Sequence, residues 1–171
     1  MSAARWILLP HYHKRGNATA TESMYADTLL LLERLTLLRL VAWAASSVLV
    51  GTGVLAFAAS RRVRAPLLKY FAVQMTAWGV VELIIGAVGW RTLGLRDAAS
   101  AARLNNMLWL NAGLSVGLVA TGLVLATCGW ILGKRLSVVG AGVATAVHGL
   151  VLLLVDLGYL DSILRLTLTP V

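Results

Sequence analysis

The sequence predicts an all-α integral membrane protein, an up-down-up-down four-helix bundle with an N-terminal amphipathic helix. Three observations predict it. Four apolar runs are each long enough to cross a hydrocarbon core of about 30 Å, which takes around 20 residues. The links between the runs are short, and cations gather at the run ends. Aromatic residues fall at two levels, as the two faces of a bilayer favour.

Composition narrows the solvent and the partners. Hydrophobic residues make up 59% of the 171, charged residues only 13%, and the mean hydropathy is +0.83. A soluble domain usually carries about 25% charged residues, so this chain has too little polar surface to coat a globule in water. The net charge of +8 sits at run ends, in Arg61, Arg62, Arg64 and Lys69 and in Lys134 and Arg135. There is no basic stripe with stacking aromatics, so the expected partners are lipid headgroups and other membrane subunits rather than nucleic acid. A single cysteine, Cys128, excludes an intrachain disulfide and reads as a small packing residue. The opening MSAARWILLPHYHKR has an apolar core of only WILL, too short for a secretory signal, so insertion is expected through the helices themselves.

In chain order, residues 1–39 are expected to form a tail and an amphipathic interfacial helix. Residues 1–18, with Pro10 and Gly16, read as irregular. His11 and His13 lack a third ligand and read as solvent-exposed rather than metal-binding. Thr19 and Glu22 have the spacing of a capping box, which satisfies orphan amides at a helix start. The stretch that follows mixes a leucine face with Asp27, Glu33, Arg34 and Arg39, and either lies in the interface or extends the first span. Residues 40–160 hold the spans, at 40–60, 68–90, 107–132 and 136–160, and 161–171 form a short tail. The links RRVRAPL, RTLGLRDAASAARLNN and GKRL should bring consecutive spans together as antiparallel hairpins.

Side A denotes the face with the first and third links, and side B the face with both termini. Trp43, Trp90, Trp109 and Tyr159 then fall near side B, and Tyr70, Phe71 and Trp130 near side A. Cations near the spans divide evenly, but those of side A are concentrated in short links without acids. The expected location is a bacterial inner membrane with side A cytoplasmic.

Polar residues inside the spans line up by depth. At 1.5 Å per residue, His148 lies about 18 Å from side A, Glu82 about 21 Å, Thr121 near 18 Å, and Ser46 and Ser47 near 20 Å. One mid-membrane layer of Glu82, His148, Thr121, Ser46 and Ser47 is therefore expected. Asp156 lies about 12 Å beyond His148 and matches the depth of Asn111, which predicts a second, shallower pair. Intramembrane ionisable groups face a bundle interior and find partners, so His148 should face Glu82. Such groups serve either as glue between helices or as a relay or ligand site.

Small residues mark close helix packing: Gly113, Gly117, Gly129 and Gly133 on the third span, and Gly142, Ala146 and Gly149 on the fourth. The spacing Ala144-x-x-x-His148 also resembles helices of light-harvesting antennae, where histidine ligates bacteriochlorophyll. Haem would need an axial histidine of the same kind. No P-loop, H-E-x-x-H, G-x-S-x-G or dinucleotide turn is present.

Three stretches, YFAVQMTAWGVVELIIGAVG (70–89), NAGLSVGLVATG (111–122) and GAGVATAVHGLVLLLVD (140–156), resemble an uncharacterised family of small bacterial four-span membrane proteins over roughly residues 66–160. The family pattern has F-x-x-x-M-x-x-W-G, then N-x-G-L-D, then Q-G and a later Asp. Phe71, Met75, Trp78, Gly79, Asn111, Gly113, Leu114, Gly149 and Asp156 fit it. Ser115 stands where the pattern has Asp, and His148 where it has Gln. The resemblance implies the fold and no activity. The expected function is that of a non-enzymatic accessory or scaffold subunit of a larger membrane complex, without a cofactor. The alternatives are a small carrier or proton-conducting protein using Glu82 and His148, or a tetrapyrrole-binding subunit using His148.

Overall fold

A computed structural model describes residues 9–62 and 65–168, with side chains from 24 onward except those of 98, 167 and 168. The described residues form four helices and no strand: α1 Leu9–Ser60, α2 Pro66–Arg91, α3 Ala98–Ile131 and α4 Leu136–Leu168. All four are long and apolar enough to cross a membrane. Arg64 and the side chains of His11 and His13 lie outside the described residues.

Of the two alternatives for the N-terminal stretch, the described residues take the second: helix α1 runs unbroken over Leu9–Ser60, 52 residues, and so extends the first span, and residues 9–18 are helical rather than irregular. Gly16 alone costs only about 1 kcal/mol relative to alanine, and from 17 to 50 there is neither glycine nor proline to stop the helix. Thr19 and Glu22 therefore lie in a helix interior and mark no start. Likewise α4 continues past residue 160 to Leu168.

The other ends have local causes. Pro66 occupies the first position of α2. Asp97 caps α3, its carboxylate accepting the Ser100 N–H at 2.9 Å, and the Ser100 bonds hold that carboxyl below the usual aspartate range. Gly133 adopts φ 102° in the tight turn between α3 and α4, where the Arg135 N–H donates to the Gly129 carbonyl at 2.7 Å. A Cβ at Gly133 would meet nothing within 4 Å, so this glycine turns the chain and does not pack helices.

Helix α2 packs against α1 and α4, and the main contacts of α3 are with α4. Consecutive α2 and α3 are therefore not the hairpin expected from their link. The reason lies in the buried stripe of α2, Ala72, Met75, Gly79, Glu82 and Gly86, which recurs every three or four residues. A Cβ on Gly79 would come within 2.8 Å of the Ala44 carbonyl of α1 and one on Gly86 within 2.7 Å of Val41. Towards α4, the Gln74 amide donates to Thr145 Oγ1 at 3.3 Å and Glu82 meets His148.

Glycines also set the α3–α4 approach. Gly122 faces Gly142 and Ala146, Gly129 faces Val138, and Gly149 faces Val119 and the Ser115 carbonyl. Gly129, Gly142, Ala146 and Gly149 thus line a helix contact, as small residues do. Gly113 and Gly117 do not: a Cβ on either would meet nothing within 4 Å, because both lie on the outer face of α3. Cys128 is likewise exposed rather than packed.

Near the Thr92–Asp97 connection, Leu108, Tyr159 and Leu160 form a small core with Leu32, Leu104 and Ile163 against it. Beside it, Arg96 holds the buried Glu33 in a two-pronged ion pair, its Nε donating to Oε2 at 2.9 Å. Arg96→Met is expected to lower the unfolding free energy in detergent by about 1.5–3 kcal/mol, the scale of a hydrogen bond to a charged group. A double-mutant cycle with Glu33→Gln reading a coupling below about 0.5 kcal/mol would show the pair to be incidental.

Candidate functional site

The largest fully buried side chains are His148, Glu82 and Ser47, exposed by 0%, 1% and 1%. Each comes from a different helix and reaches the same depth. Glycine makes this possible: Gly79, one turn before Glu82, lets the Ala44–Val48 turn of α1 press against α2, which brings Ser47 and Trp43 into the centre. Ser46, one residue away, points outward and donates to the Ala42 carbonyl at 2.8 Å. Thr121 is also exposed, on the outer face of α3. Both share the depth of the layer but not its direction, since successive helical residues turn by about 100°. The expected five-residue layer is therefore Glu82, His148 and Ser47.

Two indoles complete the site. Trp43 lies 5.5 Å from the His148 ring, centroid to centroid, and Trp78 lies 6.4 Å from it. Depth alone assigned Trp43 and Tyr159 to an interfacial belt. Trp43 instead turns inward, and Tyr159 is 3% exposed, whereas Trp90, Trp109, Trp130 and Tyr70 lie on the outer surface. A signal for the two indoles was present in the sequence. Trp43 stands four residues before Ser47 and Trp78 four before Glu82, which puts each indole on the face of its polar neighbour.

The polar atoms of this centre are short of partners. His148 Nδ1 lies 3.1 Å from the Ala144 carbonyl, which can only accept, so that nitrogen carries a hydrogen. The other ring nitrogen, Nε2, faces Glu82 Oε2 at 3.8 Å, beyond hydrogen-bond length. Among the described residues, neither Glu82 oxygen, nor His148 Nε2, Ser47 Oγ or the two indole nitrogens has a hydrogen-bond partner. The Trp43 indole is near enough to the Glu82 carboxyl to act on it electrostatically, yet it misses bonding geometry. A native interior satisfies most such groups. This cluster does not.

Glu82 is one of the residues lining a cleft of about 330 Å³ between the four helices, along with Ser115, Asn111, Asp156 and Glu33. Asp156 accepts a hydrogen bond from the Ser115 hydroxyl at 3.3 Å. Asn111, one turn before Ser115, lines the same cleft but is exposed, so the second polar pair is Ser115–Asp156 and not Asn111–Asp156. A larger hollow of about 710 Å³, between α1, α3 and α4, is mostly apolar, with Asn105 and Asp161 at its wall.

The site gives a tetrapyrrole little room on His148. The ring is wholly buried between two indoles, and Glu82 faces its free nitrogen, so a macrocycle there would have to displace a tryptophan or the carboxylate. Among the described residues no three His, Cys, Asp or Glu side chains come together as a metal site.

Fold and site define a class: a helical protein with four membrane-length helices around a buried, under-bonded polar centre. The chain belongs to the DUF6992 family, a family of unknown function that matches residues 39–157. The match starts well before residue 66 and so takes in Trp43 and Ser47 of α1. No curated protein and no solved structure matches the chain.

Proposed function

We propose that this protein is a small carrier of the bacterial inner membrane, with four spans running up-down-up-down and a proton-handling centre at Glu82 and His148. One observation carries the reading. A buried carboxyl with both oxygens unbonded stands 3.8 Å from an unbonded imidazole nitrogen, on a residue that lines a cleft. A purely structural pair gains by closing to a hydrogen bond, because an unmade buried bond costs about 1–3 kcal/mol. An open pair is kept where a proton or ligand has to enter and leave.

The chemistry follows from the tautomer. With Nδ1–H engaged by the Ala144 carbonyl, only Nε2 can exchange a proton with Glu82. One proton shared between these atoms leaves the pair either neutral, as acid and imidazole, or as carboxylate and imidazolium. Ser115–Asp156 lies along the cleft toward Glu33, and Gln74–Thr145 lies between α2 and α4 on the other side. Polar groups thus flank the centre in both directions, and the reading needs water between them.

Reconstituted into vesicles carrying an internal pH dye and driven by a potassium diffusion potential, the protein should conduct protons above the protein-free background. Glu82→Gln is expected to cut that flux by about tenfold or more, the scale of losing a positioned acid–base group. Equal flux in protein-free vesicles, or an undiminished variant, would remove the carrier reading.

A second reading, a non-enzymatic accessory subunit of a larger complex, is favoured by Gly113 and Gly117. They present bare helix backbone on the outer face of α3, where a partner helix would pack closely. Mild-detergent purification should then yield a complex that Gly117→Leu dissociates; a lone monomer counts against it.

A further inference from the structure

Resting on the carrier reading, we infer that the cleft below Glu33 binds a lipophilic organic monocation, its charged head at Glu82 and its hydrocarbon body along the apolar wall. The sign of the ligand follows from the ionisable side chains that line the cleft. Among the described residues they are Glu33, Glu82 and Asp156, with no lysine or arginine. Glu33 already has Arg96, and Asp156 has the Ser115 hydroxyl. Glu82 has no countercharge at hydrogen-bond distance, and the Trp43 indole beside it misses bonding geometry; the residue is 99% buried and is among those that line the cleft. An anion would meet three carboxyl groups, one of which already holds Arg96.

The kind of cation follows from the wall. Apart from those acids the lining is mostly leucine, valine and isoleucine, with few donors or acceptors to replace the water shell of a metal ion. Hard cations need six or more oxygen ligands, and the cleft does not offer them in one place. An organic ammonium spreads its charge over carbon, sheds water readily and brings its own apolar surface. Trp78 lines the cleft beside Glu82, and an indole face attracts such a head group. The volume of about 330 Å³ lies at the lower end of the roughly 300–1,000 Å³ typical of small-molecule sites, which favours a compact ligand.

The test uses the intact protein in lipid nanodiscs and benzyltrimethylammonium as probe, a compact cation whose charge does not depend on pH. Binding is read by calorimetry and by tryptophan fluorescence. Phenylacetate serves as the anionic control and neopentylbenzene as the uncharged carbon isostere. The expected result is saturable binding of the cation only. Glu82→Gln should weaken it by roughly thirtyfold or more, the scale of removing one side of a buried charge contact, while Glu82→Asp retains part of it. Melting curves in the same nanodiscs verify that the variants fold, and Asp156→Asn supplies a second variant, with a smaller loss expected. Binding of phenylacetate or neopentylbenzene as tight as that of the cation, or unchanged cation binding by folded Glu82→Gln, would overturn the inference. Glu82-dependent proton flux without cation binding would retire this ligand class and leave the carrier standing. Absence of both would retire both.

Discussion

Glu82→Met should make this protein more stable and, if it is the proposed carrier, cost it its proton flux. Both Glu82 oxygens are buried without a hydrogen-bond partner, and the side chain is 1% exposed. A buried polar group left unsatisfied costs about 1–3 kcal/mol, and replacing a buried ionisable group by an apolar one of like shape is often stabilising. Methionine matches glutamate in length and adapts to irregular space. An increase in unfolding free energy of about 1–3 kcal/mol is therefore expected in detergent or bicelles. Glu82→Gln should sit close to the parent, because its amide is as short of partners as the carboxyl it replaces. On the carrier reading, proton flux should fall by about tenfold or more in both. If Glu82→Met melts below the parent, the carboxyl has a bonded partner in the membrane and the case for an open site fails.

The second large effect is expected at the α3–α4 contact. A Cβ on Gly142 would lie 2.6 Å from the Gly122 carbonyl oxygen and 3.0 Å from Leu125 Cβ, with the Ala126 amide nitrogen nearby. These are mostly backbone atoms, which cannot step aside as a side chain does. Gly142→Leu must force the helices apart. The cost should reach or exceed the upper end of the about 1–3 kcal/mol usual for overpacking. Separation would also reach the site, because Gly149 on the same face seats α4 against the Ser115 carbonyl, and Ser115 bonds Asp156. Gly113→Leu is the control. Nothing lies within 4 Å of its Cβ position, so stability should stay within about 0.5 kcal/mol of the parent. Equal melting of the two variants would mean that α3 and α4 do not meet through these glycines.

Legible in the sequence alone were the number of long apolar helices, the break after Ser60, the ends of the second and third spans to within one residue of Arg91 and Ile131, and the position along each helix of Glu82, His148, Ser47 and Asp156. Hydropathy and a fixed rise per residue are one-dimensional quantities, and a sequence states them directly. What it did not state is azimuth. Ser46 and Thr121 share the depth of the polar centre but turn outward, and Trp43 shares the depth of the outer aromatics but turns inward. Only the tertiary structure decided these, because the inner face of a helix is whichever face its neighbours cover. Here α2 chose α4 over its sequence neighbour α3, through close glycine contacts that hydropathy does not register. The same choice made Ser115, not Asn111, the partner of Asp156. It also left Glu82 facing a cleft rather than a closed bond, since the four backbones meet at glycines elsewhere and leave room between α1 and α3.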